Sequence, residues 1–382
     1  MFSLKRASRS FFTWSVSSMG WPHAQRILEM PIPIISLFCG CGSFDLGFTR
    51  AGFQVDLALD IDPAAVASYN LNHGKGIAQE ADLSNASAAL YIVQLLEARQ
   101  MAEAPRGIIG GSPCQSFSRG NVHFKTEDIR QNLPRSYAAI LKELNRRYGL
   151  DFFVFENVHG ITYEKHEKNF ADFKELFEDA GFRLFEGLLD AVDFQVPQNR
   201  PRVFIVGLNS EKYPDAVFNF PMATVATPTT IDSVISSLPL PQFFSRKLDC
   251  KQFPHHPNHW TMNPKSPKFQ NGFLQEGQNM GRSFRVLSWK QPSWTVAYGN
   301  REIHIHPSGT RRLSVYEAMR IQGLPHGYQL LGNLSDQIRQ VSDAVPPQLG
   351  QALATSIHIL LAEHAVVAAD GLNNLPVQTI RE

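Results

Sequence analysis

The sequence predicts an α/β fold: a doubly wound, mostly parallel sheet with helices on both faces, followed by a smaller loop-rich domain. Three observations predict it. Strand-like and helix-like segments alternate from residue 31 to about 208, the order that builds a parallel sheet. The strand-like runs are continuously apolar, as in Phe152-Phe-Val-Phe155 after Asp151, which is expected of strands covered on both faces. After Leu208 the pattern breaks into Pro-, Asn-, Ser- and Gln-rich sequence of weak periodicity. A chain of 382 residues with 43% apolar content holds material for one large core and a second domain.

Residues 1–30 stand apart. Lys5, Arg6, Arg9 and Arg26 face a single acid, Glu29, among several serines. This composition resembles a transit peptide. It also fits a start codon placed too early, with Met19 or Met30 as the true start, and the onset of core pattern right after Met30 favours that reading. Residues 1–30 are therefore left out of the fold.

Pro33–Phe38 reads as a buried strand, followed by Gly40-Cys41-Gly42 and a short helix that stops at Gly52. Phe53–Leu59 is a second strand. Asp62 then supplies an N-cap and Pro63 a first helical residue. Residues 107–110 form a short apolar strand, 136–148 a helix, 151–155 a strand buried on both faces, and 167–180 a helix ended by Gly181. Arg202–Leu208 is one more strand. Helical pattern returns from Gln337, with an amphipathic helix over 348–366. The organisation expected is a large domain over 31–208, a small domain over 209–332, a return to the large domain over 333–366, and a tail over 367–382.

Charge adds a direction. The whole chain nets +1, but residues 31–240 hold 18 Lys/Arg against 25 Asp/Glu, and residues 241–320 hold 12 against 4. A basic block after an acidic one is the footprint of a polyanion partner. No apolar run approaches about 20 residues, so no membrane span is expected. The four cysteines, Cys39, Cys41, Cys114 and Cys250, make no disulfide framework in so long a chain. Cys-x-Cys is also too tight for a zinc knuckle. A reducing, intracellular setting follows. His304 and His306 lack a third partner at ligand spacing, so no metal site is expected.

In an open parallel sheet, ligands bind at the carboxyl ends of the strands, and four features fall there. Gly40 and Gly42 allow close approach of the backbone to a ligand. Asp45 occupies the place of a third glycine, which argues against a dinucleotide. Asp60 ends strand two, placed to accept bonds from ribose hydroxyls; an ordinary structural turn is the competing reading. Gly110-Gly-Ser-Pro-Cys-Gln-Ser-Phe-Ser118 sets Cys114 among small polar residues, a poor core environment for a thiol. Glu156-Asn157 follows a buried strand, where a carboxyl tends to a raised pKa. Arg200 and Arg202 alternate by two, so they face one side of an extended segment and could hold a phosphate or a base oxygen. Taken singly, a capping Glu and solvated arginines remain open.

In combination and order these segments resemble the C5 cytosine-specific DNA methyltransferase family. The resemblance runs over roughly residues 31–366. It is carried by Ser36-Leu-Phe-Cys-Gly-Cys-Gly42, Gly111-Ser-Pro-Cys-Gln-Ser116, Asp128-x-Arg-x-x-Leu133, Glu156-Asn-Val158, Gln198-x-Arg-x-Arg202, Arg312-Leu-Ser-x-x-Glu317 with Arg320-x-Gln-Gly323, and Ala344-Val-Pro-Pro347. It implies an S-adenosylmethionine-dependent methyltransferase fold and a target-recognition role for the small domain. It implies Cys114 as the nucleophile on carbon 6 of cytosine, Glu156 on ring nitrogen 3 and the amine, Arg202 on oxygen 2, and Arg200 in support. Phe38, Gly40, Gly42, Asp60, Asp82, Pro113 and Asp343 would line the S-adenosylmethionine site. Duplex DNA is the implied partner, read after the target base is flipped from the stack. Gln115, Ser118, Arg282, Arg285, Arg301, Arg311 and Arg312 are the candidate DNA contacts. By analogy with bacterial modification enzymes, a companion restriction endonuclease, a cytoplasmic location and a monomer are expected.

Three positions depart from the pattern. Ser36 replaces an acid, Asp60 is one methylene shorter than the usual Glu, and Ser342-Asp343 stands where Gly-Asn usually precedes Val-Pro-Pro. Two alternatives stay open: a transfer-RNA cytosine methyltransferase, whose Cys-Phe-Thr signature is missing here, and a catalytically silent DNA-binding scaffold.

Overall fold

The computed structural model describes residues 30–85, 87–100, 103–112, 133–245, 253–281, 284–296 and 304–373, the last seven by backbone alone. One seven-stranded sheet forms the centre, in the order β3-β2-β1-β4-β5-β7-β6. Its strands are β1 (Ile32–Leu37), β2 (Phe53–Asp60), β3 (Ala78–Glu80), β4 (Gly107–Gly110), β5 (Phe152–Val158), β6 (Phe182–Asp190) and β7 (Pro201–Asn209). β1 to β5 pair in parallel, and β7 runs antiparallel to both β5 and β6. The sheet is thus mostly parallel, as the continuous apolar runs required. All of β1 and β4 is buried, and so is β7 beyond Pro201.

Helices cover both faces. α1 (Ser43–Arg50), α2 (Pro63–His73) and the long α9 (Pro347–Asn373) lie on one, where Phe44, Phe48, Leu349 and Leu353 share a core with Phe152 and Phe204. α3 (Ala88–Arg99), α4 (Leu133–Tyr148) and α5 (Glu167–Asp179) lie on the other. There Tyr137 and Phe177 close on Phe153 and Phe155, the Phe153–Phe177 rings 5.1 Å apart. Asp62 caps α2 as expected, accepting from the Ala64 N–H at 3.1 Å.

Sequence reasoning passed over β3, α3 and β6. β3 is three residues long, and β6 is an edge strand with most of its side chains half-exposed or exposed, so neither shows an apolar run. Exposed Leu90 and Tyr91 blunt the periodicity of α3. The last helix runs on from 366 to Asn373.

Between residues 230 and 333 the regular elements are short: α6 (Asp232–Ile235), the two-residue pair β8 (Gln242–Phe243) and β9 (Trp260–Thr261), and α7 (Val315–Ile321). A separate core of Ile231, Trp260, Leu287, Leu313 and Met319 extends onto α8 (Leu334–Asp343) through Ile338 and Val341. Trp289 and Trp294 pack against it. His304 and His306 are buried. His304 Nε2 bonds the Thr295 carbonyl at 3.1 Å, and His306 Nδ1 the Ser308 hydroxyl at 2.9 Å, so both are structural. Among the described residues only isolated bridges form around them, at Ile305, rather than the strand their alternation suggested.

Residues 328–330 join this region to α2. Asn72 and Gln329 exchange two hydrogen bonds (2.8 and 3.0 Å), Asn258 and Leu330 two more (2.8 and 2.9 Å), and the Tyr328 hydroxyl donates to the Cys41 carbonyl.

Candidate active site

The turn from β1 into α1 passes through three left-handed residues, Phe38 (φ 54°), Gly40 (φ 55°) and Gly42 (φ 85°). The Gly40 N–H donates to Asp60 Oδ2 at 2.8 Å, and the Asp62 N–H to Asp60 Oδ1 at 2.9 Å. The carboxylate at the end of β2 therefore braces the glycine turn at the end of β1. A side chain on Gly40 would meet no atom within 4 Å, so the turn faces open space. Burial holds the Asp60 carboxyl above its ordinary range, while the residue stays partly accessible. A ligand can reach such a group. Phe38 is half-buried at the rim of the second core. Asp60 pairs with Glu80 in the sheet, which sets Asp82 just past the neighbouring strand end. Asp82 is exposed, and the Ser84 hydroxyl and N–H lower its pKa.

Asp45 was noted in the sequence only as a missing glycine. Its carboxylate is buried and takes the Ser36 hydroxyl at 2.9 Å and the Tyr69 hydroxyl at 2.8 Å. Burial pushes its pKa up to about 6. Ser36 thus stands where an acid is usual, and an acid stands behind it. The pairing of a serine at 36 with an acid at 45 was the signal available.

On the other side of β1, Glu156 and Arg202 meet across β5 and β7 as an ion pair of 2.9 Å, each about one-tenth exposed (13% and 10%). Burial raises the Glu156 pKa more than Arg202 and Arg200 lower it, so this carboxyl keeps a proton more readily than an ordinary one. A side chain on Gly111 would lie 2.3 Å from Glu156 Oε2; only glycine lets the chain pass there. Asn157 Nδ2 donates to the Ser112 carbonyl at 3.3 Å. The strand-end carboxyl and the start of the Gly-Ser-Pro-Cys segment are built against each other, with Cys114 two residues past Ser112.

Arg200 is 1% exposed. It donates to the Ser342 carbonyl at 2.6 Å and the Val296 carbonyl at 3.4 Å. Gln198 takes the Val296 N–H at 3.0 Å and donates to Gln322 Oε1 at 2.6 Å, and Gln322 donates to the Ala344 carbonyl. Both glutamines stand in matching motifs, Gln198-x-Arg-x-Arg202 and Arg320-x-Gln-Gly323, but the sequence assigned them no role, because Gln198 and Gln322 meet across 124 residues. The charges of Arg200 and Arg202 both act on Glu156 and on Asp343. Asp343 keeps solvent access as a residue, but its carboxyl is desolvated, which lifts it to about 6 against the pull of Arg200 and Arg339.

The arginines proposed for DNA divide. Arg311 is buried and its guanidinium grips Glu317 at both ends (2.8 and 2.7 Å), so it is a structural residue rather than a DNA contact. Arg312 is buried with its guanidinium 5.7 Å from the Phe269 and Phe284 rings; aromatic packing, not an open surface, holds it. Arg285 is partly accessible and donates to the Gly281 carbonyl at 3.0 Å. Cys114, Pro113, Gln115, Ser118, Arg282 and Arg301 lie outside the described residues.

A glycine turn braced by a carboxylate and an enclosed Glu–Arg pair, at adjacent ends of one parallel sheet, define a group-transfer site at a topological switch point. The chain belongs to the C-5 cytosine-specific DNA methylase family, whose model matches residues 32–358. By family it is a DNA cytosine-5 methyltransferase. Among its relatives, the Type II methyltransferase M.MthTI of Methanothermobacter thermautotrophicus is 30% identical over 349 residues, 86% of this chain and 97% of the relative. The Type II methyltransferase M.NgoPII of Neisseria gonorrhoeae is 28% identical over 353 residues, 86% and 95% of the two chains. In fold the chain is similar to a protein encoded within an E. coli prophage and described as a DNA modification methyltransferase (TM-score 0.67, 22% identity, 86% of this chain and 99% of that one).

Proposed function

We propose that the protein transfers the methyl group of S-adenosylmethionine to carbon 5 of a cytosine flipped out of duplex DNA, with Cys114 as nucleophile. The observation that carries this reading is the enclosed Glu156–Arg202 pair, packed on Gly111 three residues ahead of Cys114. The residues suit the donor: open space in front of Gly40 admits a ligand against the backbone, each Asp60 oxygen has a lone pair beyond the one that takes a backbone N–H and can accept from a ligand hydroxyl, and half-buried Phe38 offers an apolar face. When bound, S-adenosylmethionine supplies an electrophilic methyl group.

The chain's own residues do the rest. The Cys114 thiolate adds to carbon 6, and the electron pair of the 5,6 double bond moves to carbon 5. Glu156, its pKa raised by burial, donates to ring nitrogen 3 and takes up the charge that builds there. Arg202 holds oxygen 2 and orients the Glu156 carboxyl. Arg200 keeps the arginine side of the pocket in place through Ser342 and Val296. Loss of the carbon-5 proton then expels Cys114. A covalent step suits a poor electrophile such as cytosine.

Residues 209–332 would read the target sequence, with Arg282, Arg285 and Arg301 as the arginines left for phosphate or guanine. The relatives' Type II designation supports a companion endonuclease. No helix among the described residues is long and apolar enough to cross a membrane, in keeping with work in a bacterial cytoplasm, as a monomer.

The test is trapping on duplex DNA containing 5-fluorocytosine, with S-adenosylmethionine present. Fluorine blocks the final elimination, so wild type forms a denaturation-resistant adduct and Cys114→Ala does not. An adduct only on RNA would shift the substrate class, and none on either would favour a scaffold.

A further inference from the structure

We propose that Asp343 makes the donor cleft selective for charge, favouring cationic S-adenosylmethionine over S-adenosylhomocysteine, its neutral-sulfur product. The inference rests on the donor reading above.

Asp343 is the last residue of α8, where the helix dipole disfavours a carboxylate. Among the described residues its carboxylate has no hydrogen-bond partner, and the residue is exposed. The arginines around it, Arg200, Arg339 and Arg202, favour its charge without a hydrogen bond, and an uncharged Asn is the usual residue in the family it resembles.

Its backbone, in contrast, is pinned on every side. The carbonyl before it, of Ser342, takes the buried Arg200, and the carbonyl after it, of Ala344, takes the buried Gln322. One turn back, the Cys41 thiol donates to the Gln340 carbonyl at 3.9 Å, and just ahead the Ser43 hydroxyl donates to the Val345 carbonyl at 2.6 Å. The segment carrying Asp343 is thus clamped between the glycine turn and the arginine side of the pocket. Its charge is felt together with those of Asp60, Arg200, Arg202 and Arg339.

The clamps put Asp343 on the segment between the glycine turn and the arginine side of the pocket, beside the donor proposed above. Donor and product differ there by one methyl and one positive charge. Arg200, Arg339 and Arg202 act on Asp343 beside Asp60; exchanging the Asp343 carboxylate for a neutral group therefore removes one negative charge that attracts the sulfonium and does nothing for the thioether. Product then leaves more readily than donor.

Isothermal titration tests this on wild type, Asp343→Asn and Asp343→Glu with three probes: S-adenosylmethionine, S-adenosylhomocysteine, and sinefungin, which carries an ammonium near the sulfonium position. In Asp343→Asn the two cationic probes should lose roughly ten-fold in affinity, while S-adenosylhomocysteine changes by less than about two-fold; its retained binding shows that the variant is folded. Asp343→Glu should recover most of the loss, and added salt should shrink the wild-type preference. Equal losses for all three probes, or no loss for any, overturn the proposal. Wild type that binds none of the three overturns the donor reading itself.

Discussion

Two Arg–Glu pairs in this molecule are alike in sequence and opposite in character. Near the core formed beyond residue 230, Glu317 takes both ends of Arg311 and the Ser314 N–H (2.7 Å), and these bonds pull its pKa down despite burial. In the cleft Glu156 makes a single 2.9 Å contact with Arg202, and burial pulls its pKa up. A buried charge that the fold satisfies is architecture; one that it leaves short is held for a substrate. The contrast teaches that residue type alone does not locate a site, whereas the count of satisfied bonds does.

Exchanging each acid for its amide breaks the comparison most sharply. Glu156→Gln should lower kcat by about 10²–10⁴-fold and cost less stability than Glu317→Gln, because it loses one contact to Arg202 where Glu317→Gln loses both ends of Arg311. Glu317→Gln should destabilise the fold by about 3–5 kcal/mol, the cost of orphaning a buried Arg311, with any enzyme that remains folded retaining its kcat. Steady-state kinetics beside calorimetry decides the matter, and the reverse pattern would undo the assignment of roles.

Acid should next separate the two regions. Burial holds His256, His304 and His306, all between residues 230 and 333, down at about 4. Folded values below the unfolded 6.5 mean that the neutral forms stabilise the fold above pH 6.5 and that this is lost as pH falls from 6.5 to 4. The loss is on the order of 1–3 kcal/mol per histidine. Trp260, Trp289 and Trp294 lie in the core of that region, so their fluorescence should report its unfolding in that window. A transition confined below pH 4 would contradict the burial of these rings.

Asp45 carries the opposite sign. Its folded value near 6 exceeds the unfolded 3.8, so its contribution is full below pH 3.8 and lost as pH rises through 6. The stability of wild type relative to Asp45→Asn should increase by up to about 3 kcal/mol from pH 7 to 4. A difference that stays flat with pH would mean that Ser36 and Tyr69 already offset the burial.

What the sequence revealed follows the same division. β1, β4, β5 and β7 were legible because strands covered on both faces must be apolar throughout; β6 was not, because an edge strand need not be. Glu156, Arg200, Arg202 and the Gly40 turn were legible because their order along the chain is that of the strand ends. Arg311 was misread because its bonding to Glu317, six residues on, depends on a capping box at Ser314, and its lack of solvent access on a core formed by distant segments. The Gln198–Gln322–Ala344 chain closes over 124 residues, and no local pattern marks it.

The glycine turn repeats the contrast on the smallest scale. At Gly42 a side chain would lie 2.4 Å from the His73 ring, which is stacked on Tyr69 at 4.3 Å and bonded to Tyr328 at 3.0 Å. Protein fills that space, so Gly42→Ala should cost about 2 kcal/mol or more through left-handed strain and overpacking together. At Gly40 nothing lies within 4 Å, so Gly40→Ala should cost only the left-handed conformation, about 1 kcal/mol. Its effect belongs instead to binding: a methyl in that open space should weaken S-adenosylmethionine by more than its small stability cost would suggest. Titration beside thermal melting tests this. If Gly40→Ala binds the donor as tightly as wild type, the open space before the turn is not where the donor lies, and Asp60 and Asp343 must face it from another side.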